Sequence, residues 1–258
     1  MAVPKRVVER ISKKLKNYQS ILASAKERDI NEADTVTIIK DLLEDLFGYD
    51  KYSDITSEYA IRGTYCDLAI KVKNRLLLLI EVKAIGLDLK DKHTKQSVDY
   101  AANEGCEWVA LTNGIEWLIY KIKFAQPIDK EIVLSFNLLE MNHRKTDDIE
   151  SLYLLSKEGR GNSSLKEFHA QRQAVSRYLI AAAIMGDSVL KEIRKELKKL
   201  NPKVRLEIGD IAPVVKQEVL KRDLVDGDKA MDAVKKLNRA SARTTRKAEP
   251  PPPPEVQG

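Results

Sequence analysis

The stretch "RLLLLIEVKA", Arg75 to Ala84, decides the fold. Its five apolar residues, Leu76 to Ile80, are followed by Glu81 and Lys83. A run this short is too brief for a membrane span and reads as a buried strand or a buried helix segment. Leucine permits helix, but the short length and the preceding Lys73-Asn74-Arg75 break favour a strand. So does the strand-like run just before it, Asp67 to Val72. In a strand, Glu81 and Lys83 share one face and Val82 points to the other. Opposite charges at the end of a central strand are costly to bury unless something pairs with them. The plainest account is a structural ion pair whose lysine snorkels to water.

Working outward, Val3 to about Arg28 carries Val7, Val8, Ile11 and Leu15 at helical spacing. A second helix follows in "NEADTVTIIKDLLEDLFGYD", with Asn31 as N-cap and Glu32 and Asp34 in the first turn. Ile38, Ile39, Leu42, Leu43 and Leu46 form its apolar face, and Gly48 ends it. "DITSEYAI", "YCDLAIKV" and "LLLLIEVKA" read as three strands, and "KHTKQSVDYAANEG" as a helix. "EWVALTNG" and "EWLIYKIKF" read as two more strands about an Asn113-Gly114 turn. This order predicts an α/β fold whose mixed central sheet is flanked by helices, with antiparallel hairpins and one parallel crossover.

The pattern turns helical after Asn142, through "SLKEFHAQRQAVSRYLIAAAIMG", "SVLKEIRKELKKL" and "IAPVVKQEVLKRDLV". The basic segment "KEIRKELKKL" reads as a solvated helix face with i,i+4 pairs. The expected divisions are an N-terminal helix over 1–28, a core domain over 29–142, a helical extension over 143–228 and a basic, proline-rich tail over 229–258. The polyproline run at Pro250 to Pro254 predicts disorder for that tail.

Composition bounds the partners. Lys and Arg outnumber Asp and Glu by 45 to 39, a net charge of +6 that is compatible with a polyanion. Cys66 and Cys106 lie far apart without metal-type spacing, as expected of free thiols in a reducing cytoplasm. His93, His143 and His169 are scattered and show no ligand spacing. The charged start shows no secretory signal, and no apolar run reaches the roughly 18 residues of a transmembrane helix, so no membrane partner is expected.

Asp67 sits in an apolar setting, "CDLAI", on the strand before Glu81. If the register agrees, the two carboxylates converge into a hard-oxygen site suited to Mg²⁺, with the Val82 carbonyl as a further ligand. Lys83 would then orient a water or offset charge on a phosphorus centre. For Asp67 alone, the alternative is a strand-end carboxylate bonded to backbone amides.

The D-(x)n-E-x-K pattern of Asp67, Glu81 and Lys83, on the second and third strands after a helix, resembles the PD-(D/E)XK nuclease superfamily. Gln96 and Tyr100 add a Q-x-x-x-Y spacing that places both on one helical face. "ALTNGIEWLIYKI" and "NEADTVTIIKDLLEDLFGYD" resemble the N-terminal nuclease domain of type I restriction enzyme R (HsdR) subunits over about 30–125. The resemblance implies a restriction-endonuclease-like core of order αβββαβ with a helical C-terminal extension. It further implies a Mg²⁺-dependent DNA endonuclease of restriction or defence type, with Mn²⁺ as a substitute. Asp67, Glu81 and Lys83 would be catalytic, Gln96 and Tyr100 would position phosphate, and Asp67, Glu81 and the Val82 carbonyl would hold the metal. A first-turn acid, Glu32, would reach the same site, with Glu44 the weaker candidate. Glu58 on the first strand is an acid that could join the cluster or simply face solvent. Cys66 stands where the motif has its nominal proline. No G-x-x-x-x-G-K-[ST] pattern is present, so the sequence offers no P-loop motor. The expected partners are DNA and either a second copy or other restriction subunits. The alternative is a catalytically silent nuclease-fold module that binds DNA or scaffolds a larger assembly.

Overall fold

A computed structural model describes residues 2–61, 64–200 and 202–248. It divides into two compact units, Met1–Phe168 and His169–Gly258.

The first unit begins with α1, Lys5–Glu27, whose buried residues Val7, Ile11, Leu15, Tyr18, Leu22 and Ala25 recur at steps of three and four. The second helix, α2, spans Glu32–Asp45. Asn31 caps it by accepting a hydrogen bond from the Asp34 amide at 2.9 Å, as its sequence predicts. The chain leaves α2 through Gly48 at φ +79°, where an added Cβ would stand 2.6 Å from the Arg10 guanidinium. Arg10 in turn donates to the Leu46 and Phe47 carbonyls and, at 2.8 Å, to Glu158. These bonds tie the N-terminal helix into the unit.

Six strands follow: β1 Ile55–Ile61, β2 Thr64–Val72, β3 Arg75–Val82, β4 Trp108–Thr112, β5 Glu116–Lys123 and β6 Asp129–Asn137. They lie in sequence order in one sheet. Every neighbouring pair is antiparallel except β3 and β4, which are parallel. The crossover between those two carries α3, Lys95–Glu104, as a parallel pair requires. The α/β fold is therefore present, with the order αβββαβ running from α2 to β4. The sequence pattern marks only five of these strands. β6 is an edge strand that opens on Asp129-Lys130-Glu131 and buries only Val133 and Leu134, so its apolar pattern is thin.

The two faces of the sheet are covered differently. α1 and α2 pack over Leu68, Ile70, Leu78, Ile80, Val82, Ala110, Trp117 and Ile119. Trp117 is fully buried, edge-on to Phe47 at 5.7 Å and stacked on Phe136 at 6.2 Å. α3 covers the other face through Val98, Tyr100 and Ala101 against Ala69, Leu79, Val109 and Leu111. Trp108 is buried as well, so both tryptophans belong to the core.

The unit continues through α4 Thr146–Leu155 and α5 Lys157–Gly161 into α6, Ser164–Ala174. Leu152, Tyr153, Leu155 and Leu165 join the core that holds α1. The division that composition suggests at residue 142 therefore falls at 168, because the first helices after the sheet complete its core instead of starting a separate body.

The second unit contains α7 Arg177–Ile184, α8 Asp187–Leu200, α9 Ile208–Val214, a wider π turn at Val215–Val219, α10 Arg222–Val225 and α11 Asp228–Ala248. The stretch "SLKEFHAQRQAVSRYLIAAAIMG" is helical as expected but in two pieces: α6 ends at Ala174, and Ser176 caps α7 by accepting from the Leu179 amide. On α8 the ion pairs Glu192–Lys195 and Glu196–Lys199 are spaced i,i+3, not i,i+4 as expected. The stretch from 229, which composition marks as disordered, is helical as far as Ala248; Ala230 and Ala233 are buried on it. The polyproline run lies outside the described residues. Among the described residues no helix is long and apolar enough to cross a membrane.

Candidate functional site

The charges at the end of β3 converge with Asp67. The antiparallel register closes on the pair Leu68 and Ile80, and Asp67 and Glu81 are the next residue beyond it on each strand, close enough for their charges to act on each other. Leu79, Glu81 and Lys83 alternate onto the face covered by α3. Past the last pair of the ladder, the Val82 amide is taken by Asp67 Oδ2 at 2.7 Å. The strand-end reading of Asp67 is thus part of the geometry, alongside the second acid whose charge acts on it.

Glu81 is a charged residue with only 8% of its surface exposed. Its Oε1 accepts from Lys83 Nζ at 2.9 Å and its Oε2 from Ser97 Oγ at 2.8 Å. Lys83 Nζ also stands 3.5 Å from Glu32 Oε2, so the first-turn acid of α2 does reach the cluster. Glu44 does not: it lies twelve residues, roughly 18 Å, further along the same helix. Glu58 is an exposed residue at φ +48°, skipped by the β1–β2 register.

Electrostatics follow from this packing. Burial pushes the Asp67 carboxyl up to about 6; the Val82 amide opposes this, the Glu81 charge adds to it and Lys83 subtracts. Burial works against the Lys83 ammonium, but the Glu81 hydrogen bond and the charges of Glu81, Glu32 and Asp67 outweigh it and hold its pKa above the ordinary lysine value. Lys83 is therefore a fixed cation, not a base. Cys66, at the motif's proline position, is raised to about 12, first by burial and then by the Glu81 and Asp67 charges, which leaves it an inert thiol.

An open cleft of about 470 Å³ lies beside the cluster, lined by Glu81, Lys83, His93, Gln96, Asp99 and Tyr100, among others. Gln96 and Tyr100 share one face of α3, and the Gln96 amide donates to the Tyr100 hydroxyl. The structure thus brings Asp67, Glu81, Lys83, Glu32, Gln96 and Tyr100 to one end of the sheet. Sequence reasoning missed Ser97. Its sequence clue is adjacency to Gln96, but only the seating of α3 on β3 turns a helical serine onto Glu81. Among the described residues no group of three or more His, Cys, Asp or Glu side chains is placed to hold a metal ion.

Comparison with protein families gives a match over part of the chain. Residues 37–133 match the type I restriction enzyme R protein N terminus (HSDR_N). The matched stretch runs from within α2 into β6 and so contains Asp67, Glu81, Lys83, Gln96 and Tyr100. The resemblance to the HsdR N-terminal domain therefore rests on the sheet and its crossover helix, and α1, Glu32 and everything after β6 lie beyond it. Comparisons with curated proteins and with solved structures gave no match.

Proposed function

We propose that this chain is a Mg²⁺-dependent deoxyribonuclease of the restriction or defence type that hydrolyses phosphodiester bonds in DNA. The observation that carries the reading is the meeting of Asp67, whose Oδ2 accepts from the Val82 amide at 2.7 Å, with Glu81 and with Lys83 Nζ, 2.9 Å from Glu81, at the end of β3. The family match over 37–133 supports a restriction-system role.

Carboxylate and carbonyl oxygens are the kind of donor that a hard divalent cation takes. Asp67 and Glu81 offer carboxylate oxygens on one face, and Asp67 is held above the ordinary carboxylate range by burial and by Glu81, a strain that a cation would relieve. Asp67, Glu81 and the Val82 carbonyl would hold Mg²⁺ or Mn²⁺, with Glu32 assisting through water. When bound, such an ion polarises a phosphoryl oxygen and acidifies a water. Ser97 fixes the orientation of Glu81 by donating to Oε2. Lys83, permanently cationic, offsets the negative charge that develops on phosphoryl oxygens. Gln96 and Tyr100 line the adjoining cleft, where amide and hydroxyl position the backbone phosphate. Partner subunits of a restriction assembly, or a second copy, would supply DNA recognition.

The test is cleavage of supercoiled, linear, single-stranded and modified DNA with Mg²⁺ or Mn²⁺. Wild-type nicking that Lys83→Ala abolishes is the expected result. Wild-type protein inert on every substrate would refute it. A second reading, a silent DNA-binding or scaffold module, draws on the fact that both Glu81 oxygens and Asp67 Oδ2 already have internal partners. DNA binding indifferent to Asp67→Ala, with no metal uptake by calorimetry, would favour it.

A further inference from the structure

A buried guanidinium without a carboxylate lies at the opposite end of β3. Arg160, on α5, is 8% exposed. The short helix that carries it is tied down at several neighbouring residues. Ser156 Oγ accepts from the Gly159 amide at 3.1 Å, the Lys157 amide donates to the Phe47 carbonyl at 2.9 Å, and Glu158 receives Arg10 at 2.8 Å. Gly159 lies so close to the preceding turn that an added Cβ would meet the Tyr153 carbonyl oxygen at 2.0 Å. The side chain is therefore delivered to one place. There its Nη2 donates to the Leu77 carbonyl, and the guanidinium lies over the Trp108 ring at 5.1 Å. Its Nε is buried with no hydrogen-bond partner.

This arrangement is incomplete as electrostatics. Arginine remains protonated inside proteins, and a desolvated cation is destabilising unless paired. One carbonyl and one aromatic face offset part of that cost. No carboxylate among the described residues pairs with Arg160, so an external anion would complete it.

The surroundings fit an anion. Arg160 borders a cleft of about 470 Å³, whose lining includes Lys73, Arg75, Glu107, Trp108 and Lys166. Lys73, Arg75 and Lys166 form no ion pair with a described residue, whereas the single acid, Glu107, faces Lys121 at 3.7 Å. Lys73 holds a left-handed conformation, φ +50°, at the first central position of the two-residue turn between β2 and β3. Asn or Gly is the usual choice there, so a lysine stands against local preference.

We propose that this cleft binds a phosphate monoester, gripped by the Arg160 fork and surrounded by Lys73, Arg75 and Lys166. Four cations against one paired acid favour a dianionic phosphate over a carboxylate. The volume lies within the roughly 300–1,000 Å³ of small-ligand sites. The site is separate from the carboxylate cluster: Leu77 and Glu81 are about 13 Å apart along β3, and Trp108 packs on the α1–α2 face while Glu81 faces α3. The phosphate held here is therefore not the one placed beside Lys83. It belongs either to a free nucleotide or to the 5′ end of a nucleic-acid strand.

Calorimetry and thermal unfolding of the full chain test this with inorganic phosphate, adenosine monophosphate, and duplex DNA bearing a 5′-phosphate or a 5′-hydroxyl. Phosphate is expected to raise Tm with one site per chain. Arg160→Met should weaken binding about tenfold or more, and Glu81→Gln should leave it unchanged. Tighter binding of the mononucleotide than of inorganic phosphate identifies a free nucleotide. A preference for the 5′-phosphorylated duplex over the hydroxyl form identifies a strand end. If Arg160→Met does not fold, the exposed combination Lys73→Asn, Arg75→Ala and Lys166→Ala decides the matter. Absence of any phosphate effect overturns the proposal. So do wild-type binding by that combination and loss of phosphate binding in Glu81→Gln.

Discussion

Replacing Asp67 by asparagine should stabilise the metal-free protein while abolishing cleavage. The Asp67 carboxyl is raised from the ordinary 3.8 to about 6, chiefly by burial. Because the folded value exceeds the unfolded one, the contribution of Asp67 to stability is fully present below about pH 4 and lost as pH rises through about 6. At roughly 1.4 kcal/mol per tenfold change, the whole effect would be about 3 kcal/mol. The carboxylate is partly open to solvent, and screening reduces this to about 1–2 kcal/mol. The replacement amide keeps an oxygen for the Val82 N–H, which in the wild type binds Asp67 Oδ2 at 2.7 Å. It removes the like charge that acts against Glu81 and gives up the attraction to Lys83. Urea denaturation at pH 4 and pH 8 is the assay. The two proteins should match at pH 4, and Asp67→Asn should be more stable by about 1–2 kcal/mol at pH 8. Added Mg²⁺ should then raise the midpoint of the wild type alone, in proportion to ligand excess. A variant that is less stable at pH 8 would show that Asp67 is satisfied by its amide and by Lys83, and the electrostatic basis of the site would fail.

Three further outcomes follow from the packing. Ser97→Ala removes the donor to Glu81 Oε2 and should lower cleavage about tenfold with little change in KM, measured by steady-state nicking. Trp117→Ala opens a cavity beside Phe47 and Phe136 and should cost about 3–5 kcal/mol in chemical denaturation. Gly48→Ala forces a Cβ onto a left-handed residue and into the Arg10 guanidinium, so it should destabilise by about 1–2 kcal/mol; an unchanged Tm would contradict this.

The sequence by itself determined the periodicities, and with them α1, α2, β1 to β5, α3 and the αβββαβ order, because apolar spacing and caps are local properties. It also placed Glu81 and Lys83 on one face, since strand alternation requires it. It did not reveal β6, whose edge position leaves few apolar residues to read, nor the boundary at 168, because helices that finish a core look the same as helices that begin another. Tertiary structure alone decided the register that brings Asp67 and Glu81 to the same end of the β2–β3 ladder, the seating of α3 that turns Ser97 onto Glu81, and the reach of Glu32 to Lys83 across 51 residues. Arg160 shows the difference most clearly. In sequence it is one arginine among many, and only the packing of α5 against Phe47, Trp108 and Leu77 buries it without a counter-ion. Burial and pairing depend on segments far apart in the chain, and local patterns carry no record of which segments meet.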